Sequence, residues 1–283
     1  MSKWLVCTAT PTSGVRHRLM MLSAVKHFAD TRGYSVFLLW GVSGGVSYCR
    51  FEELLAPIPG VRVVNLPAAQ INPVVACART QKTITIGKHA LRVFRGGEPP
   101  RGNFFSWDLV GAWALAKAVP GRPDQLVARP AQGIRAEAAD YSRTHGLGAR
   151  LGIRVRVEEL PYRDRKPHRV RKELDDVVRS LVRIPWYTRV FVATDSEYIQ
   201  QMLASHFHDA RFLPKSFDLQ EPTGRYVHRQ DKHAMFTFLK EVDCLCRCKR
   251  IINIGGFLND RSVGHKILRE PYSEAAYLHV ARR

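Results

Sequence analysis

The sequence predicts an α/β protein made of two halves, and three observations carry that expectation. Apolar runs of strand length, YSVFLLW over 34–40 and RVFVA over 189–193, have the composition of parallel strands covered on both faces. Between such runs stand segments with apolar residues at helical spacing, so the pattern alternates as in βαβ units. Finally, a glycine-rich break at Gly146 and Gly148 separates one alternating series from the next. The expected domains are therefore 1–146 and 147–283, with a ligand cleft between them.

In chain order, 4–8 reads as a first strand and 15–31 as a helix, with Leu19, Leu22, Val25 and Ala29 on one face and Gly33 as its stop. The strand over 34–40 completes a βαβ unit. Its first turn, TPTSGVRHR over 10–18, sets hydroxyls, Gly14, His17 and Arg18 at a helix start, a natural place for an anion. A short helix over 51–55 and a strand over 61–65 follow. Periodicity then fades from 67 to 101, apart from a hairpin over 83–86 and 91–94. Segment 103–119 reads as a buried helix and 133–145 as an amphipathic one. In the second half, strands are expected at 151–157, 189–193, 211–214 and 250–254, and helices at 172–183, 195–207 and 233–248 and after Gly255-Gly256.

The formal charge is 44 − 25 = +19, which favours anionic partners: nucleic acid, phosphorylated ligands or a membrane surface. No secretory leader and no apolar run long enough to span a bilayer is read, and the six cysteines suit reduced thiols, so a cytoplasmic protein is expected. C-x-C-x-C at Cys244, Cys246 and Cys248 lies on a predicted helix, where side chains two apart diverge, so no metal site is expected.

The stretch LGIRVRVEELPYRDRKPHRVRK, over 151–172, concentrates the chemistry. It starts as a strand with Ile153, Val155 and Val157 on one face and Arg154 and Arg156 on the other. Glu158 and Glu159 follow, then Arg163, Arg165, Lys166, His168, Arg169, Arg171 and Lys172. Buried strands keep unpaired charges off their faces, so this strand is expected to open onto a polar site at its carboxyl end.

These residues resemble the fucosyltransferases that make α-1,6 and protein O-linked fucose, including those acting on nodulation factors. Gly152 to Glu159 is similar to the family's G-x-H-x-R-R-x-D strand, and Val190 to Ser196 to its V-F-x-x-T-D strand. Glu241, Leu245 and Cys248 are similar to its D-x-x-x-L-x-x-C helix, and Gly14 to Leu19 more weakly to G-x-G-N-R-L. Arg154 stands where the family has His, Val157 for its second Arg, Glu159 for its Asp, Arg16 and His17 for its Gly-Asn, and Gly255-Gly256-Phe257 for its Ser-rich turn.

The resemblance implies two Rossmann-like domains facing a central cleft (GT-B type), the second binding the nucleotide sugar and the first taking the acceptor. It implies a metal-independent, inverting glycosyltransferase that uses a GDP-linked sugar, fucose or similar, and needs no cofactor beyond that donor. On it Arg156 grips the diphosphate, with a strand-end ion pair to Glu158 or Asp195 as the alternative, and Arg154 adds a second charge or an interface pair. Glu159 stands where a base would take the acceptor proton, or pairs with the basic loop; Glu241 reads guanine, or is a solvated helix residue. Thr194, Asp195 and Ser196 line the site or simply cap a helix. Gly255, Gly256 and Phe257 bring backbone N–H groups to phosphate, or form an ordinary turn. The acceptor is a glycan or other hydroxyl compound, itself polyanionic in one variant. The rival reading is a non-catalytic nucleic-acid or polyanion binder on a degenerate transferase scaffold.

Overall fold

The computed structural model describes residues 3–11, 13–99, 101–107, 109–120, 129–156, 167–221, 224–227 and 231–255. They form two α/β units, meeting in the chain between Ala131 and Gln132.

Unit 1 begins with β1 (Lys3–Thr8), α1 (Val15–Arg32) and β2 (Tyr34–Val42). Helix α1 ends where expected. Gly33 adopts φ 70°, and its N–H donates to the Ala29 carbonyl, a left-handed cap that suits glycine. Then come α2 (Phe51–Leu54), β3 (Val61–Pro67), α3 (Ala68–Thr80), β4 (Thr83–Ile86), β5 (His89–Val93), β6 (Phe104–Ser106) and α4 (Leu109–Lys117). The sheet runs β3-β2-β1-β6-β5-β4, parallel except for the β4–β5 hairpin, which the sequence predicts.

Two elements differ from expectation. Helix α3 lies in the stretch without clear periodicity, and Pro73 inside it obscures the pattern. Its stripe is nonetheless present: Ile71, Val75 and Ala78, at helical spacing, are buried against Val6, Leu39 and Phe105. The expected long helix over 103–119 is instead a strand and a shorter helix, because Phe104–Ser106 is buried between β1 and β5 and pairs with both.

Unit 2 comprises α5 (Gln132–His145), β7 (Leu151–Arg156), α6 (Pro167–Leu181), β8 (Val190–Thr194), α7 (Glu197–His206), β9 (Ala210–Arg211), β10 (Leu219–Glu221), β11 (Gly224–Tyr226), α8 (Lys232–Cys246) and β12 (Arg250–Gly255). Its sheet is parallel, ordered β12-β7-β8-β9, with β10 and β11 as a separate hairpin. One face packs Ile153, Val155, Val190 and Val192 against Leu174, Val177, Val178 and Leu181 of α6 and Ile199 and Leu203 of α7. The other packs Phe191 and Ala193 against Ala138 of α5 and Cys244 and Leu245 of α8. Helix α6 starts at Pro167, five residues before the expected start at Lys172, so the last part of the basic stretch is helix rather than loop.

The unit boundary also falls earlier than the glycine pair that suggested it. Helix α5 belongs with unit 2 because it packs on α8: Lys240 Nζ reaches Glu137 Oε2 at 2.6 Å, and the Tyr141 hydroxyl donates to the Phe212 carbonyl at 2.9 Å. Gly152 permits the close seat of α8 on β7. A Cβ there would lie 3.1 Å from Leu245 Cδ2 and 3.2 Å from Cys248 Cβ.

Arg150, at the entry to β7, clamps the amino-terminal end of this sheet. Its guanidinium is buried and donates to the His145 carbonyl at 2.7 Å, the Asp209 carbonyl at 2.9 Å and the Asp209 carboxylate at 2.9 Å. Arg189 and Arg211 reach the same carboxylate at 3.0 and 3.1 Å. The Arg150 hydrogen bond is the first of the contacts that hold the Asp209 carboxyl below its ordinary range. Without Arg150 the Asp209 carboxylate keeps Arg189 and Arg211, and the loss is that of the buried carbonyls' partner, about 1–3 kcal/mol. Arg150→Met is therefore expected to lower unfolding free energy by that amount in chemical denaturation. Arg143→Met, which removes an exposed helix pair with Asp140, should change it by less than about 0.5 kcal/mol.

Candidate functional site

Strand order marks a candidate site in unit 2. From β7 the chain moves outward through β8 to β9, then returns to the opposite side of β7 as β12. The order thus reverses between β7 and β12, and in open α/β sheets ligands bind outside the carboxyl ends of the strands at such a point. Parallel register sets Gly255 beside Arg156 and Asn253 beside Arg154 there. Two segments that the sequence singles out, nearly a hundred residues apart, therefore meet at the last rung of the sheet. Arg156 is described by its backbone, while Glu159, Gly256 and Phe257 lie outside the described residues, as do Glu158, Arg163, Arg165 and Lys166.

Alternation along β7 decides where Arg154 goes. Ile153 and Val155 face α6 and α7, so Gly152 and Arg154 face α8. Arg154 is buried, contrary to a strand face open to solvent. Glu241 stands one helical turn before Leu245 on α8, the residue that touches Gly152, and is buried too. It is neither solvated nor alone: it is ion-paired to Lys215. Lys215 is 3% exposed at its side chain, and its Nζ also donates to the Thr194 carbonyl at 2.6 Å. Burial pushes the Glu241 carboxyl up from its ordinary value, Lys215 and Arg154 pull it down, and Asp195 pushes it up. Arg154, Lys215, Asp195 and Glu241 thus form one electrostatic cluster of two cations and two anions. Lys215 is the residue that sequence reasoning missed. It sits in an aperiodic segment, LPKSF over 213–217, and its partner is 26 positions away.

The turn after β8 does what the simpler expectation gives it. The Ser196 hydroxyl caps α7 by accepting from the Ile199 N–H at 3.5 Å, and the Thr194 hydroxyl accepts from the Ser196 N–H at 3.2 Å. The Asp195 carbonyl accepts from the Val227 N–H at 3.0 Å, tying the turn to the segment that follows β11. Asp195 is left as the side chain of the three that contributes to the charge cluster.

In unit 1 the structure divides the expected anion turn. His17 is exposed in the first turn of α1, and Gly14, its N-cap, leaves room for a Cβ, whose nearest neighbour would be the Gly45 carbonyl at 3.8 Å. Arg18 differs from an exposed anion contact. It is buried and donates to the carbonyls of Ser13, Gly41 and Pro11 at 2.8, 2.7 and 2.8 Å and to the Ser43 hydroxyl at 3.2 Å. Its guanidinium carbon lies 4.6 Å from the centre of the Trp40 ring, a cation–π contact. Arg18 therefore fastens the β1–α1 turn to the end of β2. The following loop is strained: Ser47 and Tyr48 both take left-handed backbone, at φ 50° and 58°.

Among the described residues no group of three or more His, Cys, Asp or Glu is placed to hold a metal ion. Burial pushes the Cys244 thiol up, and the Cys248 thiol up to about 12, as expected for packing rather than ligating residues. Among the described residues no helix is long and apolar enough to cross a membrane.

No protein-family profile matches the chain, and no curated protein matches it. Solved structures do. A NodZ α-1,6-fucosyltransferase soaked with GDP-fucose is 15% identical, with a TM-score of 0.52 over 89% of this chain and 88% of its own. A selenomethionine form of the fucosyltransferase NodZ from Bradyrhizobium is 16% identical, with a TM-score of 0.53 over 89% and 87%. A further structure of that Bradyrhizobium enzyme is 17% identical, with a TM-score of 0.51 over 89% and 88%. At such identity the likeness is one of fold, and it spans nearly the whole of each chain: this is an α/β protein of two Rossmann-like units with the fold of the NodZ fucosyltransferases.

Proposed function

We propose that the chain is a glycosyltransferase that moves a sugar, fucose or one like it, from a GDP-linked donor to an acceptor hydroxyl with inversion. The single observation that carries this reading is the register of Arg156 beside Gly255 at the point where the sheet order of unit 2 reverses. It sets the backbone of Arg156, a residue whose planar fork would suit two phosphate oxygens, beside Gly255, the first of the glycine pair, at the end of the sheet where open α/β folds bind ligands. The likeness of fold to a fucosyltransferase structure soaked with GDP-fucose supports the same donor class.

In this reading unit 2 holds the donor and unit 1 presents the acceptor. The acceptor oxygen attacks the anomeric carbon from the face opposite the diphosphate, the carbon–oxygen bond to the terminal phosphate breaks, and configuration inverts. Glu159 takes the hydroxyl proton. Arg156, Arg154 and the N–H groups of Gly255, Gly256 and Phe257 answer the charge that gathers on the leaving phosphate, so basic groups and backbone fill the role a metal plays elsewhere. Glu241, steadied by Lys215, accepts from the ring N–H and amino group of guanine, an edge that the other common bases lack. Thr194, Asp195 and Ser196 shape the wall beside it.

Two measurements test the proposal. GDP should raise the melting temperature more than UDP, CMP or ADP at equal concentration. A ligand at a hundredfold excess over its dissociation constant stabilises by about 2.7 kcal/mol. Equal shifts for all the diphosphates would remove the role of Glu241 and leave the diphosphate reading intact. The second is Arg156→Lys, which keeps the charge and loses the planar fork. Turnover of a GDP-sugar should fall about 10²-fold or more, the loss typical of removing one donor to a developing anion, with a smaller loss of GDP affinity. Unchanged turnover would place the diphosphate elsewhere.

A further inference from the structure

The opposite, amino-terminal end of the unit 2 sheet carries a feature that nucleotide-sugar transfer does not use. The connection from α6 to β8 displays Trp186 at 60% exposure and Tyr187 at 69%, side by side. Two large aromatics exposed side by side offer a small apolar surface that a partner can cover. Nor is this a loose loop tip. Ile184 N–H donates to the Leu181 carbonyl at 3.0 Å, Thr188 N–H to the Pro185 carbonyl at 2.9 Å and His208 N–H to the Trp186 carbonyl at 3.0 Å, while the His206 ring is 2.9 Å from the Ile184 carbonyl. The rings are held out by a pinned backbone.

Around them arginines outnumber acidic residues. Arg189 and Arg211, with side chains 54% and 47% exposed, share the Asp209 carboxylate with buried Arg150, so three guanidiniums face one carboxylate. Arg183 is exposed at the start of the same connection. Between Asp176 and Asp195 the chain has three arginines and no acidic residue. Taking the surface residues Arg183, Arg189 and Arg211 against Asp209, the patch carries 3 − 1 = +2.

We propose that this end of unit 2 is a docking surface for an anionic lipid bilayer. Trp and Tyr join an apolar body to a polar tip, the chemistry of the headgroup layer. The arginines suit lipid phosphodiesters. The ring geometry favours a bilayer over single-stranded nucleic acid. Trp186 and Tyr187 meet edge to face, at 79° and 6.0 Å, and so form one apolar knob rather than two parallel platforms for bases. The cations converge on one carboxylate instead of tracking a strand. The inference stands independently of the transferase reading.

The test uses the full chain and vesicles of phosphatidylcholine alone or mixed with phosphatidylglycerol. Sedimentation should show binding to the anionic vesicles only, weakening with salt. Arg183→Gln and Arg189→Gln should each lower the partition coefficient about fivefold. Trp186→Ser combined with Tyr187→Ser should lower it about tenfold or more, with far-UV circular dichroism and the melting temperature without vesicles unchanged. Tryptophan emission should move to the blue on anionic vesicles and should not do so in Trp186→Phe. Equal binding to neutral vesicles, or a blue shift that persists in Trp186→Phe, overturns the proposal. So does single-stranded oligonucleotide binding that depends on Trp186 and Tyr187 without any vesicle binding, which would assign the patch to nucleic acid.

Discussion

A guanidinium on an inner strand, under a helix, has to be answered by nearby charge. Arg154 occupies that position, and the arrangement of unit 2 around the switch point follows from it. Gly152 lets α8 settle directly onto β7, which removes the next residue on that face from water. Glu241 enters with the same helix, one turn from the contact, and Lys215 arrives from a loop to share it. Buried charges of this kind add little net stability, but removing one exposes the desolvation cost of the others. What the cluster contributes is definition: each member has one low-energy position, so the carboxyl end of the sheet presents a fixed pattern of charge.

The parts of the fold that were legible are those in which a single residue type dictates the answer. Continuous apolar runs became inner strands, Gly33 ended α1, and the 83–94 hairpin paired as read. Where the reading failed, a local signal was outvoted. Pro73 hid the stripe of α3, three buried residues before α4 were absorbed into that helix, and a run of cations at 167–172 looked like a loop although Leu174, Val177 and Leu181 continue it as an amphipathic turn. At the end of the unit 2 sheet, register sets the backbones of Arg156 and Gly255 side by side, whereas Lys215 was invisible because a long-range ion pair leaves no period in sequence. Arg18 was misread for a related reason: a row of carbonyls is a property of backbone paths and not of side chains.

The arginines also correct the impression left by net charge. Arg18, Arg150 and Arg154 are buried, two of them visibly bound to carbonyls of neighbouring turns, and so belong to the architecture. Arg183, Arg189 and Arg211 lie at the surface, gathered at one end of one sheet. A formal +19 is thus two populations, one internal and one available to partners, and only the second acts at a distance.

Those internal arginines make the two units differ toward acid. Arg18 clamps unit 1 through carbonyls and a hydroxyl, which do not titrate, and its own pKa, lowered by burial to about 10, leaves it charged at every acidic and neutral pH. The Arg150 clamp of unit 2 also holds two carbonyls, but its ion pair is with the Asp209 carboxylate, which titrates. With its folded value depressed, that group's contribution is complete above the ordinary aspartate range and fades as pH falls through the folded value. The turn that Arg18 holds is thus indifferent to acidification, while the sheet end that Arg150 holds carries a built-in acid-labile joint.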